Sequence, residues 1–414
     1  MKPNRPPALL PLMLLLELVA LGATFPVIAY FVRELGGTAF HITLCFFFTA
    51  APKIFLQPIW GDWSDKIGRK PILAAGILGS IIGYAGWAYA PSLGWFLVAR
   101  AVVGLFGTQL TVATAIIADT MKPEDRAKGL GVLGATAGLG FILGPLAGGL
   151  IASADTLVEL KQFVGLTSYA FVGAFNLALE GGALLIALLL PETAPKVATH
   201  LRRRTNSLRL WRQAFAHQGV GLILISTLVG STGTSVLQGT LVILAADRWG
   251  FAVGQTGKAL ALYFLISALV QGGAIRYLVP KLGELFLAQW GTFLAAIGIA
   301  LLVPNLPVLW LWVALTVIAI GASLNTPSLT ALLSRYTHIG DQGKVQGLNQ
   351  GVTGLGRSIS GISMGWLYDA FGPFMPFAIS AILTFAGFAI LLPIDPKHRY
   401  ETFHSQHPAD EEES

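Results

Sequence analysis

The sequence predicts an all-α integral membrane protein, with twelve transmembrane helices in two pseudo-symmetric six-helix bundles. Three observations carry this. Of the 414 residues, 54% are hydrophobic and only 12% charged, whereas a soluble domain holds roughly 25% charged residues. Apolar stretches near the ~20 residues that a helix needs to cross hydrocarbon recur twelve times. Lysines and arginines gather on alternate connections between those stretches.

The first stretch, 8–32, follows Lys2 and Arg5. It is too long for a signal-peptide core of roughly 7–15 residues, so it reads as a span. Spans follow at 39–60, 71–90, 94–118, 128–153 and 164–190, and again at 218–245, 256–276, 285–303, 307–333, 344–368 and 374–392. The turns Pro91-Ser92-Leu93-Gly94 and Pro304-Asn305-Leu306-Pro307 join the third to the fourth span and the ninth to the tenth. The longest polar connection, 191–217, holds Arg202, Arg203, Arg204, Arg209 and Arg212. It separates an N-terminal bundle, 1–190, from a C-terminal bundle, 218–393. The acidic tail 394–414 reads as disordered. If both termini are cytoplasmic, 20 of the 27 Lys and Arg lie inside, while Arg33, Lys161, Arg248 and Lys258 lie outside. Lys53, Arg100 and Arg357 fall within spans. This bias predicts a multi-pass protein of the cell membrane with both ends inside.

Several classes are excluded. The net charge of +6 is spent on topology rather than on a nucleic-acid surface. One cysteine, Cys45, allows neither an internal disulfide nor a thiolate zinc site. Gly129-x-Gly131-x-x-Gly134 opens a membrane helix instead of following a strand, so it is no dinucleotide fingerprint. Gly254-Gln255-Thr256-Gly257-Lys258-Ala259 fails as a phosphate loop at both ends. No enzyme, cofactor or metal is expected. His398, His404 and His407 read as a solvated tail.

Between the second and third spans lies Gly61-Asp62-Trp63-Ser64-Asp65-Lys66-Ile67-Gly68-Arg69-Lys70. Five charges in ten residues predict an aqueous turn, with Gly61 and Gly68 allowing the chain to reverse. Asp65 and Arg69 stand four apart, the spacing of an ion pair on one helical turn. The fifth span carries Gly131, Gly140, Gly144, Pro145, Gly148 and Gly149 in fixed register. Small residues at this spacing allow close helix contact, and Pro145 removes a backbone hydrogen bond. A shift of 216 residues carries Asp125, Lys128, Gly131, Gly138, Leu139, Gly140 and Gly149 onto Asp341, Lys344, Gly347, Gly354, Leu355, Gly356 and Gly365. The two halves therefore read as a duplication.

These motifs resemble those of the major facilitator superfamily. The 61–70 stretch is similar to its loop between the second and third helices, and the fifth span to the antiporter signature of its drug exporters. Glu17 with Pro26, Arg100-Ala101-Val102-Val103-Gly104, Ile117-Ala118-Asp119, Asn176, Leu190-Pro191-Glu192-Thr193, Gly356-Arg357-Ser358 and Leu367-Tyr368-Asp369 extend the likeness to twelve-span drug:proton antiporters, tetracycline-efflux relatives included. Gly83, Ala295 and Ser267 stand where those exporters have two aspartates and a histidine, so tetracycline itself is not implied. The resemblance implies a cytoplasmic gate of Gly61, Asp65, Gly68, Arg69, Lys70 and Asp119, with Asp65 facing the helix that starts near Lys344.

Ionisable residues inside spans are costly and mark function. Glu17 and Glu180 are the candidates for proton coupling, each weighed against a static pair with Arg100. Lys53, eight residues before the 61–70 stretch, reads as snorkelling to the inner surface. Arg100, Asn176, Gln238, Asn325 and Arg357 are the candidate substrate-cavity residues, and each amide alone would also serve as helix glue. The expectation is a monomeric secondary transporter in the lipid bilayer that exports a small amphiphilic compound in exchange for protons by alternating access. The alternatives are metabolite uptake or facilitated transport on the same fold, or a non-transporting sensor or scramblase.

Overall fold

The structure is a computed structural model and describes residues 8–122, 124–193, 218–337 and 342–394. Within them every regular element is helical. The helices are α1 Leu10–Glu34, α2 Ala39–Ile67, α3 Arg69–Ala88, α4 Leu93–Phe106, α5 Gln109–Thr120, α6 Arg126–Ser153, α7 Val158–Phe163 and α8 Ser168–Leu189. They continue as α9 Gln218–Thr234, α10 Val236–Trp249, α11 Val253–Leu269, α12 Ile275–Leu282, α13 Glu284–Ala300, α14 Leu309–Arg335, α15 Gln342–Phe371 and α16 Met375–Leu391. Among the described residues, nine helical rods are long and apolar enough to cross a membrane, α4–α5, α9–α10 and α11–α12 each counting as one rod. α13 and α16 are apolar but have 17 residues each, the short end of the spanning range. α15 is long but more polar. The expected twelve spans are thus twelve helical rods.

Three rods are interrupted where no break was expected. Gly107 and Thr108 separate α4 from α5, and Ser235 separates α9 from α10. Between α11 and α12, residues Val270–Ala274, which include Gly272 and Gly273, widen into a π turn. The opposite correction applies to the 61–70 stretch. It is not an extended turn: α2 runs unbroken through Gly61 to Ile67, and the chain reverses at Gly68 alone. Ser64 Oγ bonds the Gly61 carbonyl and Trp60 Nε1 bonds the Leu105 carbonyl, which holds this polar end helical. Gly68 has φ +125°, a conformation that needs glycine.

By contacts the chain divides into two compact units. The first holds Met1–Arg202, Ser235–Ala268 and Arg357–Pro376; the second holds Arg203–Thr234, Leu269–Gly356 and Phe377–Ser414. A core of the first unit joins Leu10, Met13, Leu14, Ile72, Leu73, Ile77, Val112, Ile116 and Ala183. A core of the second joins Val220, Ile223, Leu224, Leu285, Ala288, Leu329, Leu333 and Leu391. Residues 194–217, 338–341 and 395–414 lie outside the described residues. With them lie most of the expected central loop, Asp341 of the duplicated motif, the expected tail and its histidines.

Candidate functional site

At the α2–α3 junction, Arg69 is 7% exposed and gathers three partners. Its Nε donates to Asp119 Oδ2 at 2.8 Å, and its Nη1 to Ser64 Oγ at 2.6 Å and to Asp65 Oδ1 at 2.5 Å. The carboxylate of Glu192 accepts the backbone N–H groups of Arg69 at 2.9 Å and Lys70 at 3.1 Å. An anion is thereby seated on the positive N-terminal end of α3. A side chain at Gly68 would strike that same carboxylate. Lys70 Nζ reaches the Leu188 carbonyl. Gly61 contributes only its carbonyl, which accepts from Ser64 Oγ, and a Cβ added there meets nothing. Glu192 is the member that the gate expectation lacks; its signal is the acid in Leu190-Pro191-Glu192-Thr193. The side chain of Lys344 lies outside those described, and with it the expected contact of Asp65.

The glycine face of α6 has two neighbours. Gly140 lies against Leu18, Gly144 against Gly22 and the Val19 carbonyl, and Gly148 against the Ala23 backbone, all on α1. Gly149 and Pro145 lie against Gly254 and Gly257 of α11. Any larger side chain at these four glycines would meet backbone, which cannot give way. Gly131 is different: a Cβ there meets nothing. Pro145 remains inside a continuous helix.

The interior of the first unit carries the ionisable groups. Glu180 is 1% exposed and Arg100 2%. Glu17 Oε2, Glu180 Oε2, and Arg100 Nε and Nη1 are buried with no hydrogen-bond partner. Neither carboxylate forms an ion pair with Arg100, whose Nη2 instead donates to Thr49 Oγ1 at 3.1 Å. The alternative of a static pair with Arg100 is therefore overturned. Lys53 does not snorkel away. Its Cε and Nζ lie against Gly107 at the α4–α5 break, and Glu17, Arg100 and Arg357 are its electrostatic neighbours. The carboxylates of Glu17 and Glu180 also act on each other. Sequence reasoning undervalues Lys53 because the break that receives it, Gly107-Thr108, looks like ordinary helix.

The polar candidates separate. Asn176 is fully buried, and its Nδ2 donates to Thr24 Oγ1 at 3.2 Å, leaving Oδ1 without a partner. Gln238 is half-buried and precedes Gly239, which lies against the Phe46 ring. Asn325 belongs to the second unit and donates to Thr292 Oγ1 at 2.5 Å and to the Ala288 carbonyl at 3.2 Å. It joins α14 to α13, as helix glue does.

A further polar cluster was not anticipated. Arg33 holds Asp247 in a bidentate pair at 2.7 and 2.8 Å, and the Tyr368 hydroxyl donates to Asp247 Oδ2 at 2.7 Å. Tyr30 donates to the Phe251 carbonyl at 2.7 Å, and Asp369 accepts the Ala39 and Phe40 N–H groups at 3.1 and 2.8 Å. Tyr368 and Asp369 stand in the Leu367-Tyr368-Asp369 motif, but their partners are scattered along the chain at the ends of α1, α2, α10 and α11, and no motif links them to it.

The profile of the Major Facilitator Superfamily matches residues 12–335 and, in a second match, 223–408. The chain belongs to that superfamily and is a multi-pass membrane transport protein. It is 29% identical over 378 residues to "Tetracycline resistance protein, class E" of Escherichia coli, with 89% of each chain covered. It is 27% identical over 381 residues to "Major facilitator superfamily domain-containing protein 10" of Mus musculus, covering 84% of this chain and 77% of the other. Among solved structures, the fold is similar to the human organic anion transporter MFSD10 (TM-score 0.65, 22% identity, 94% of this chain and 100% of that one). It is also similar to the nucleoside transporter NupG (TM-score 0.73, 15% identity, 92% and 98%).

Proposed function

We propose that this member of the superfamily is a proton-coupled exporter of a small amphiphilic compound. One observation carries the reading: Glu17 sits within a membrane-spanning helix with a carboxylate oxygen buried and unbonded. A carboxyl left without a partner in a low-dielectric interior exchanges protons more readily than one locked in an ion pair. Glu17 loads the proton, and Glu180, which acts on it electrostatically, is the second station. Likeness to tetracycline resistance proteins and the backbone contacts of α6 with α1 and α11 support antiport. Side chains that small let helices slide past one another without unpacking.

The six-helix halves 1–190 and 218–393 are the moving bodies of alternating access. Asp65, Arg69, Asp119 and Glu192 form the cytoplasmic gate, and the Arg33–Asp247–Tyr368 cluster forms its counterpart on the outer side, with both termini inside. Cysteines placed at 64 and 157 should then label from opposite faces, and labelling of both from outside would reverse this topology.

Proteoliposomes loaded with a compound panel under an imposed pH gradient test the function. Uphill movement of at least one compound, with proton flux in the opposite direction, is expected. No gradient-driven movement of any compound would sink the proposal. A second reading, proton-coupled uptake, is favoured by one fact: interior cations (Lys53, Arg100, Arg357) outnumber interior carboxylates. Protonating Glu17 then favours an anionic substrate, and the two would move together. The direction of proton flux separates the readings.

A further inference from the structure

Three cations gather in the first unit, with Glu17 as an electrostatic neighbour of Lys53. Arg100 is 2% exposed with two guanidinium nitrogens unbonded. Lys53 rests on Gly107. Arg357 is exposed. None of the three forms an ion pair among the described residues. Unpaired charge at this depth is costly, and natural sequences retain it where something else completes it.

The packing of α2 on α15 sets these charges near one level. Asp369 bonds the backbone of Ala39, Gly365 lies against Thr43, and Gly361 lies against Phe47. Each step of four along α2 is answered by four backwards along α15, an antiparallel register with one more step to take. That step would set Arg357 opposite Ala51, half a turn from Lys53, in accord with the electrostatic influence of Arg357 on Lys53. Thr49, one turn before Lys53, holds Arg100 at 3.1 Å. Three helices thus deliver three cations to one level.

Beside that level is a platform of rings. Phe25, Phe46, Phe141 and Phe264 come from α1, α2, α6 and α11, and all are half-exposed. Phe25 stacks on Phe46, Phe141 and Phe264 at centroid distances of 5.9, 6.1 and 6.2 Å, with interplanar angles of 27°, 14° and 21°. Phe141 stacks on Phe264 at 5.2 Å and 20°. Tyr263, next to Phe264 and 5.2 Å from its ring, is the electrostatic neighbour of Arg357. Along α2, the five steps from Phe46 to Ala51 span about 7.5 Å, roughly the length of a fused pair of aromatic rings.

We propose that Lys53, Arg100 and Arg357 bind the carboxylate or sulfonate end of the transported compound while its aromatic body lies on the Phe25–Phe46–Phe141–Phe264 platform. The substrate class is a planar aromatic anion. This rests on the transport reading but on neither direction of coupling.

The test is calorimetric binding to the purified full-length protein with three matched probes: 2-naphthalenesulfonate, a naphthyl quaternary ammonium and 2-naphthol. The sulfonate should bind at least about tenfold more tightly than the other two, a difference of about 1.4 kcal/mol. R357Q and K53Q should each weaken the sulfonate about tenfold and leave 2-naphthol unchanged, while R357K retains most of the affinity. F264L should weaken the sulfonate and 2-naphthol alike. Preference for the ammonium probe, or full sulfonate affinity in R357Q, would overturn the proposal. So would chloride competing as an equal for the site, since the platform would then be idle. Binding is read without a proton gradient, so a failure of proton coupling and a failure of this assignment are told apart.

Discussion

The two compact units bury polar groups in different ways. In the second, buried hydroxyls and amides mostly satisfy their neighbours. Thr292 donates to Ala288, Ser226 to Gly387 and Thr384 to Ser380, and Asn325 ties α14 to α13. Among the described residues there, the buried polar atoms left unbonded, on Ser328 and Asn349, are neutral. Its buried acid, Glu284, stands at a helix end and pairs with Arg335 at 2.6 Å. In the first unit the unbonded atoms include those of Glu17, Glu180 and Arg100. A bilayer offers no water to satisfy such groups. Satisfied neutral groups make a scaffold, whereas unsatisfied charged groups are what the proposed proton and substrate sites require.

The largest expected break in that contrast is Glu17→Gln. It keeps shape and hydrogen-bonding capacity but cannot exchange a proton. Gradient-driven transport in proteoliposomes should fall to background, with yield and substrate binding retained. If uphill transport persists at the native rate, Glu180 becomes the carrier. Asn325→Ala in the second unit should leave transport intact and cost about 1–2 kcal/mol of stability in detergent. A transport defect larger than the stability loss would place Asn325 in the site after all.

Next in size are the glycines. Gly144→Val drives a branched side chain into the Gly22 and Val19 backbone of α1, and overpacking of this kind costs about 1–3 kcal/mol. Thermal unfolding should register it. Gly131→Ala occupies open space and should be neutral or slightly stabilising, since alanine favours helix by up to about 1 kcal/mol. Equal effects of the two would mean that the α6 motif does not act through packing.

Asp65→Asn should lower turnover several-fold with little effect on folding, because Arg69 keeps Asp119 and Ser64. Full transport by this variant would remove the gate role. The smallest effect belongs to Glu284→Gln. Its partner Arg335 is 62% exposed, and such pairs contribute about 0–1 kcal/mol; a larger loss in denaturant titration would show a hidden partner.

Much of this architecture is legible in the chain itself. The helical rods and their number follow from runs of apolar residues. Gly68, Arg69 and Asp119 stand in local motifs whose spacing carries its own geometry. Breaks at Gly107 and Ser235 are not legible, because single glycines and serines are common inside membrane helices. The continuation of α2 through Gly61 is hidden for the opposite reason: charge and glycine look like a turn until Ser64 and Trp60 are seen to anchor it.

By itself, then, the sequence determined what is local: hydropathy sets which segments span, basic residues set the expected orientation, and glycine spacing sets which face of α6 can approach a neighbour closely. Tertiary structure alone decided which distant residues meet. The antiparallel register of α2 on α15 brings Gly361 and Gly365 against Phe47 and Thr43, and the ends of α1, α10 and α15 bring Arg33, Asp247 and Tyr368 together. No pattern in the chain encodes such pairs, since register between helices emerges from the summed packing of many small contacts rather than from any one of the residues it aligns.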